Sequence, residues 1–233
     1  MEEIIKKVEK GEWLERDEEL KLLEFPKHII ALYLSYHSLL EFKARLKLVM
    51  MKDPKLLEAL LCHPRGIELT LQINIINSMD FEMFKVLVRQ NAFSFDVGNT
   101  LLALDKDTRY KYVKEIFADK NCTCPIGEND LIETNDCELF KLYLENCNIL
   151  HVNAEHKLIK LANKDMIKIY FDYIFVNKKQ MSDIAEIALA QLQDEELLSE
   201  YVKNFVLSGK AKISLLETRN FDLIQAYFKN AIE

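Results

Sequence analysis

A chain of 233 residues with a net charge of −7 carries the wrong sign for a dedicated nucleic-acid binder, whose affinity rests on cationic contacts to phosphates. Its 49% hydrophobic content is enough for a continuous core, yet no stretch approaches the roughly eighteen uninterrupted apolar residues of a membrane span. Five cysteines at irregular spacings, behind the charged start Met1-Glu2-Glu3-Ile4-Ile5-Lys6-Lys7, imply reduced thiols and a cytoplasmic location.

After that charged helical start, one pattern recurs along the chain, at residues 26, 53, 80, 105, 136, 163, 194 and 220. The first occurrence is Pro26, followed by Ile29-Ile30 and Tyr33-Leu34. In the second, Asp53-Pro54 joins a helix cap to a proline at the first helical position, where a missing N–H costs nothing. Asp80 leads Met83-Phe84 and Leu87-Val88. Asp105 starts the weakest unit, with Thr108-Arg109 where an apolar pair belongs, although Tyr112-Val113 follows in register. Asp136, Asn163, Asp194 and Asn220 then lead Leu139-Phe140, Met166-Ile167, Leu197-Leu198 and Leu223-Ile224, each followed by Tyr143, Tyr170, Tyr201 or Tyr227. Asp and Asn side chains accept hydrogen bonds from the free amides of a helix start, and the acids two residues on (Glu82, Asp107, Glu138, Asp165, Glu196 and Asp222) suit the positive end of the helix dipole.

At 100° per residue the apolar pairs share one face, so each unit ends in an amphipathic helix of about eleven residues, about 16 Å long. A shorter apolar segment precedes each cap, as in Leu158, Ile159 and Leu161. Helices this short are marginal alone and need a neighbour to cover them. The repeat, averaging about 28 residues, therefore predicts an all-α chain, an α-solenoid of about eight helix hairpins forming one elongated domain over residues 1–233. Second helices are expected to begin within two residues of 27, 54, 81, 106, 137, 164, 195 and 221. Residues 185–206 and 211–232 agree at seven of 22 positions, which argues for true repetition.

The units from Ala154-Glu155 through Tyr170, and from Ala185-Glu186 through Tyr201, resemble short helical repeats found in tandem in bacterial proteins of unassigned activity. The resemblance covers most of the chain from residue 128 onward and implies an α-solenoid and a bacterial source. It carries no activity or site residue with it. Segments such as Asp136 to Asn146 also look like a degenerate ankyrin repeat, but the T-P-L-H turn is missing and the period falls short of 33.

Four features carry possible chemistry. Cys122 and Cys124, with Cys137, Cys147, His151 and His156 downstream, are zinc-ligand types without paired C-x₂-C spacing, and Cys147 falls in register with core positions, so no metal or cofactor is expected. The tyrosines at 112, 143, 170, 201 and 227 lie within the apolar arc, which favours packing between units over a ligand-facing ladder. Catalytic motifs such as G-x-S-x-G, H-E-x-x-H and the phosphate loops are absent, and no enzymatic activity is expected. Finally, residues 156–179 are rich in lysine, whereas 180–200 carry Asp183, Glu186, Asp194, Glu195, Glu196 and Glu200 with no base. This alternation suits inter-repeat pairing and, more sharply, a bipolar surface on which Lys157, Lys160, Lys164 and Lys168 meet a protein partner. The expected function is a non-catalytic scaffold or adaptor for an unknown protein or peptide; the alternative is a HEAT-like nucleic-acid-binding protein or enzyme, for which a continuous basic lining would be required.

Overall fold

The computed structural model describes residues 1–63, 67–94, 96–119, 124–147 and 150–232, and among them every regular element is an α-helix. These are α1 (Glu2–Glu9), α2 (Arg16–Leu22), α3 (Lys27–Tyr36), α4 (Phe42–Met50), α5 (Pro54–Leu61), α6 (Leu69–Asn77), α7 (Phe81–Arg89), α8 (Val97–Leu102) and α9 (Lys106–Ala118). There follow α10 (Glu128–Glu133), α11 (Cys137–Asn146), α12 (Val152–Lys160), α13 (Lys164–Val176), α14 (Asp183–Leu192), α15 (Glu195–Val202), α16 (Gly209–Glu217) and α17 (Phe221–Ile232). Contacts divide the chain into two compact units, Met1–Ile126 and Gly127–Glu233, where the even sequence period gave no sign of a boundary. No helix among the described residues is long and apolar enough to cross a membrane.

All eight expected helix starts are occupied, by Lys27, Pro54, Phe81, Lys106, Cys137, Lys164, Glu195 and Phe221. The cause is visible in the caps. Asp53 accepts from the amides of Lys55 and Leu56, and Asp80, Asp105, Asp136, Asn163, Asp194 and Asn220 bond the amides of Met83, Thr108, Leu139, Met166, Leu197 and Leu223. Pro26 makes no such bond; its fixed φ, here −55°, leads into α3 instead. The residue before the cap turns the corner. Lys52, Met79, Asn135, Ala162, Gln193 and Arg219 all have φ between 51° and 56°, the left-handed conformation that ends a helix in one residue.

In each unit the helices pack on the neighbour two places along. In the first, α1, α3, α5, α7 and α9 form one series and α2, α4, α6 and α8 another; in the second the series are α11, α13, α15, α17 and α10, α12, α14, α16. The apolar pairs read from the sequence fill the space between. Ile167, Phe171, Leu197 and Leu198 are fully buried, as are Leu57, Leu60, Phe84 and Leu87 in the first unit. Even the weak unit is accommodated: Tyr112 stacks on Phe84 with ring centroids 4.2 Å apart, and the Arg109 guanidinium donates to the Leu102 carbonyl at 3.0 Å. Nearby, Gly98 is required by close packing, since a Cβ there would lie 2.4 Å from the Pro125 carbonyl oxygen.

Candidate functional site

The tyrosine column is buried, as its place on the apolar arc implies: Tyr112, Tyr143, Tyr170, Tyr201 and Tyr227 are all under 9% exposed. Their hydroxyls reveal a second column that the sequence reading did not assign. Eight positions before the cap, on the preceding helix, stand Glu128, Glu155 and Glu186, and each accepts a hydrogen bond from the tyrosine fifteen residues later. The other carboxylate oxygen accepts from the backbone amide that caps the next first helix: His151 for Glu128 at 2.9 Å, Ser182 for Glu155 at 3.0 Å and Ser208 for Glu186 at 2.7 Å. In the first unit Glu19 does the same, taking the amides of Leu40 and Glu41 at 2.9 and 2.7 Å and standing 3.5 Å from the Tyr33 hydroxyl. One carboxylate thus ties three segments together, and its charge sits at the positive end of the following helix.

Glu19 and Glu186 are completely buried and Glu155 nearly so. Glu186 therefore does not belong to the acidic surface on which its sequence neighbourhood placed it. Burial, and next the charge of Glu155, pushes the Tyr170 hydroxyl far above its ordinary range; burial and the bond to Glu186 do the same to Tyr201. For Tyr33 burial is again the main cause, and the hydroxyl is pushed up to about 12.

Elsewhere the same register position changes its chemistry together with its partner. Where the tyrosine is Leu87, the acid is neutral Gln72, whose amide oxygen accepts from the Ser94 amide at 2.9 Å while its NH₂ donates to the Ile67 carbonyl at 2.9 Å. Where it is Leu60, the acid becomes Arg45, paired with Glu68 at the start of α6. Beneath Tyr112 it becomes Val97, and the Tyr112 hydroxyl is buried with no hydrogen-bond partner.

Three of the four lysines expected on a partner-binding surface are engaged within the second unit. Lys157 pairs with Glu133; Lys164 reaches Asp194 at 2.6 Å and Glu196 at 3.7 Å; Lys168 meets Glu196 at 2.5 Å. The bond to Asp194 holds the Lys164 ammonium above its usual range, and the bond to Glu196 does so for Lys168. Lys160 lies exposed at the end of α12. Lys27 and Asp53 repeat the Lys164–Asp194 pair in the first unit, at 2.6 Å. Pairs this exposed align neighbouring helices more than they stabilise them.

Among the described residues no group of three or more His, Cys, Asp or Glu is placed to hold a metal ion. Cys122 lies outside the described residues; Cys124, Cys137 and Cys147 are half-buried, and burial raises the Cys147 thiol, which disfavours the thiolate a metal needs. The second unit does contain an open groove of about 270 Å³ between α11 and α13, lined by Leu144, Ile169, Tyr173 and Val176 with Lys141 and Asp172 beside them. Val176 is 81% exposed there. Comparison with protein families, with curated proteins and with solved structures finds no match for this chain.

Proposed function

We propose that this chain is a non-catalytic protein-interaction scaffold, built as an α-solenoid of about eight helix hairpins running through residues 1–233, and that it receives a peptide or helix of a protein partner. The groove between α11 and α13 carries this reading. It combines an apolar strip, Leu144, Ile169, Tyr173 and Val176, with charges of both signs, which is the make-up of a site that buries apolar side chains and orients them by polar contacts at the rim. A solvent-facing valine beside a half-buried tyrosine is available to a partner at no cost in unfolding. Rigid backing supports the reading too, since Glu128 and Glu155 tie the helices on either side to their neighbours and so reduce the ordering cost of binding. Lys157, Lys160, Lys164 and Lys168 belong to the same unit and offer a second set of partner contacts, of which Lys160 and Lys164 are exposed.

Affinity capture from a bacterial lysate tests the proposal when wild type is compared with Val176→Glu and Tyr173→Ala. The expected result is a protein recovered by wild type and lost from both variants, with helicity retained. Recovery of the same set by all three, or of nucleic acid alone, refutes it.

A further inference from the structure

The groove between α11 and α13 is a feature of the register. It is lined by positions five and nine residues after the cap on one helix and six and nine after it on the next, there Lys141, Glu145, Ile169 and Asp172. On α7 and α9, packed neighbours in the first unit, the same positions are Lys85, Arg89, Lys111 and Lys114, in a chain whose net charge is −7. Arg89, Lys111 and Lys114 are exposed, and among the described residues none of the three enters an ion pair. Lys85 pairs with Glu82 of its own helix at 3.0 Å, and half-buried Glu115 is the other acid beside them, so cations remain in excess. Phe81, at the start of α7, shows that the two rows meet: the Lys111 ammonium of α9 lies 3.8 Å from its ring centroid and that of Lys85 4.9 Å. These contacts hold both lysines in place, which lowers the ordering cost of binding, while the repulsion between two ammoniums on one ring favours an anion that both share.

We propose that this face of α7 and α9 binds an acidic segment of a protein partner, its carboxylates shared between Lys85 and Arg89 on one helix and Lys111 and Lys114 on the other. Side chains one helical turn apart are separated by about 5–6 Å, close to the roughly 7 Å between alternate residues of an extended chain. A segment with an acid at every second position therefore matches both rows. Arg89, whose Nε donates along the helix to the Lys85 carbonyl at 3.4 Å, adds a planar fork suited to a carboxylate. A nucleic-acid strand fits less well, because it needs a basic groove that tracks its backbone and this lining ends at one pair of helices: the matching positions on α5 are Glu58 and Cys62. The site lies in the other unit from the α11–α13 groove and does not depend on it.

Fluorescence anisotropy of the full chain at low salt tests this, with a short labelled peptide of alternating glutamate and serine, its glutamine counterpart and an oligothymidylate as probes. Wild type is expected to bind the glutamate peptide and to release it as salt rises. Lys111→Glu with Lys114→Glu should raise the dissociation constant by roughly tenfold or more at unchanged circular dichroism. Arg89→Gln gives a second readout, a smaller loss of the same sign. Lys43→Glu with Lys55→Glu changes the net charge equally at exposed sites of the same unit, each in the first turn of its helix where glutamate is favoured, and should leave binding within about twofold. No binding by wild type, equal loss from both double variants, equal binding of the glutamine peptide, or tighter binding of the oligothymidylate overturns the proposal.

Discussion

Replacing Tyr201 by Phe and Glu186 by Gln, singly and together, measures what the buried carboxylate column contributes. The Tyr201 hydroxyl donates to Glu186 at 2.7 Å and accepts from the buried Met181 amide at 3.2 Å. Tyr201→Phe therefore removes a bond to a charged acceptor and strands a backbone donor, for a total of about 3 kcal/mol. Glu186→Gln keeps the shape but turns an NH₂ toward some of the donors that the carboxylate now satisfies, those of Tyr201, Ser208 and Gln180, and is expected to cost about 2 kcal/mol. The pair together should cost less than the sum. Gln72 shows why: facing Leu87 it turns its NH₂ to the Ile67 carbonyl, and Met181 occupies the equivalent place thirteen residues before the cap at Asp194. A coupling of about 1–2 kcal/mol follows. Urea unfolding followed by far-ultraviolet circular dichroism gives the values, read only where the slope is unchanged, since repeat units can lose cooperativity. Costs that add to within about 0.5 kcal/mol would refute the reasoning, because side chains that share no network are additive.

Tyr112→Phe, in contrast, removes a buried hydroxyl without a partner, and the thermal midpoint should hold or rise. Ala162 sits exposed at φ 53°, so Ala162→Gly should stabilise by about 1 kcal/mol in the same urea assay, while Ala162→Val should destabilise. Asp105→Ala loses the bond to the Thr108 amide and should cost about 1 kcal/mol. The buried tyrosines set an alkaline limit. The hydroxyls of Tyr33, Tyr112, Tyr170 and Tyr201 ionise later in the folded chain than the ordinary value of 10.0, Tyr33 at about 12, so the stability they contribute is complete below the ordinary value and is lost as pH rises through the folded one. Thermal midpoints recorded up the alkaline range should fall there, and a flat profile would contradict the burial.

Helix starts were legible because an Asp or Asn cap, an acid two residues on and an apolar pair are local signals, and local signals fix where a helix begins. The corners were not. Left-handed turns are usually marked by glycine, and here Lys52, Met79, Asn135, Ala162, Gln193 and Arg219 take that conformation, of which only asparagine is a habitual occupant. Glu155 and Glu186 were missed because acids are read as surface, although both sit one helical turn before buried leucines, Leu158 and Leu189, and directly after a small alanine. Charge alternation between residues 156–179 and 180–200 pointed correctly to neighbouring helices, and the structure spends Lys164 and Lys168 on Asp194 and Glu196. The groove had no sequence signature, because Leu144, Ile169 and Val176 read as ordinary members of apolar faces until the spacing of α11 and α13 is known.

Photo-crosslinking from the groove tests the scaffold function most directly. A benzophenone side chain placed at position 176, exposed in the wild-type chain, should on irradiation in cells of the source organism give one discrete protein adduct, and the same group at the exposed Met50 on the first unit should not. Loss of that adduct on Tyr173→Ala would follow from the account. Adducts only with nucleic acid, or identical labelling from both positions, would contradict it.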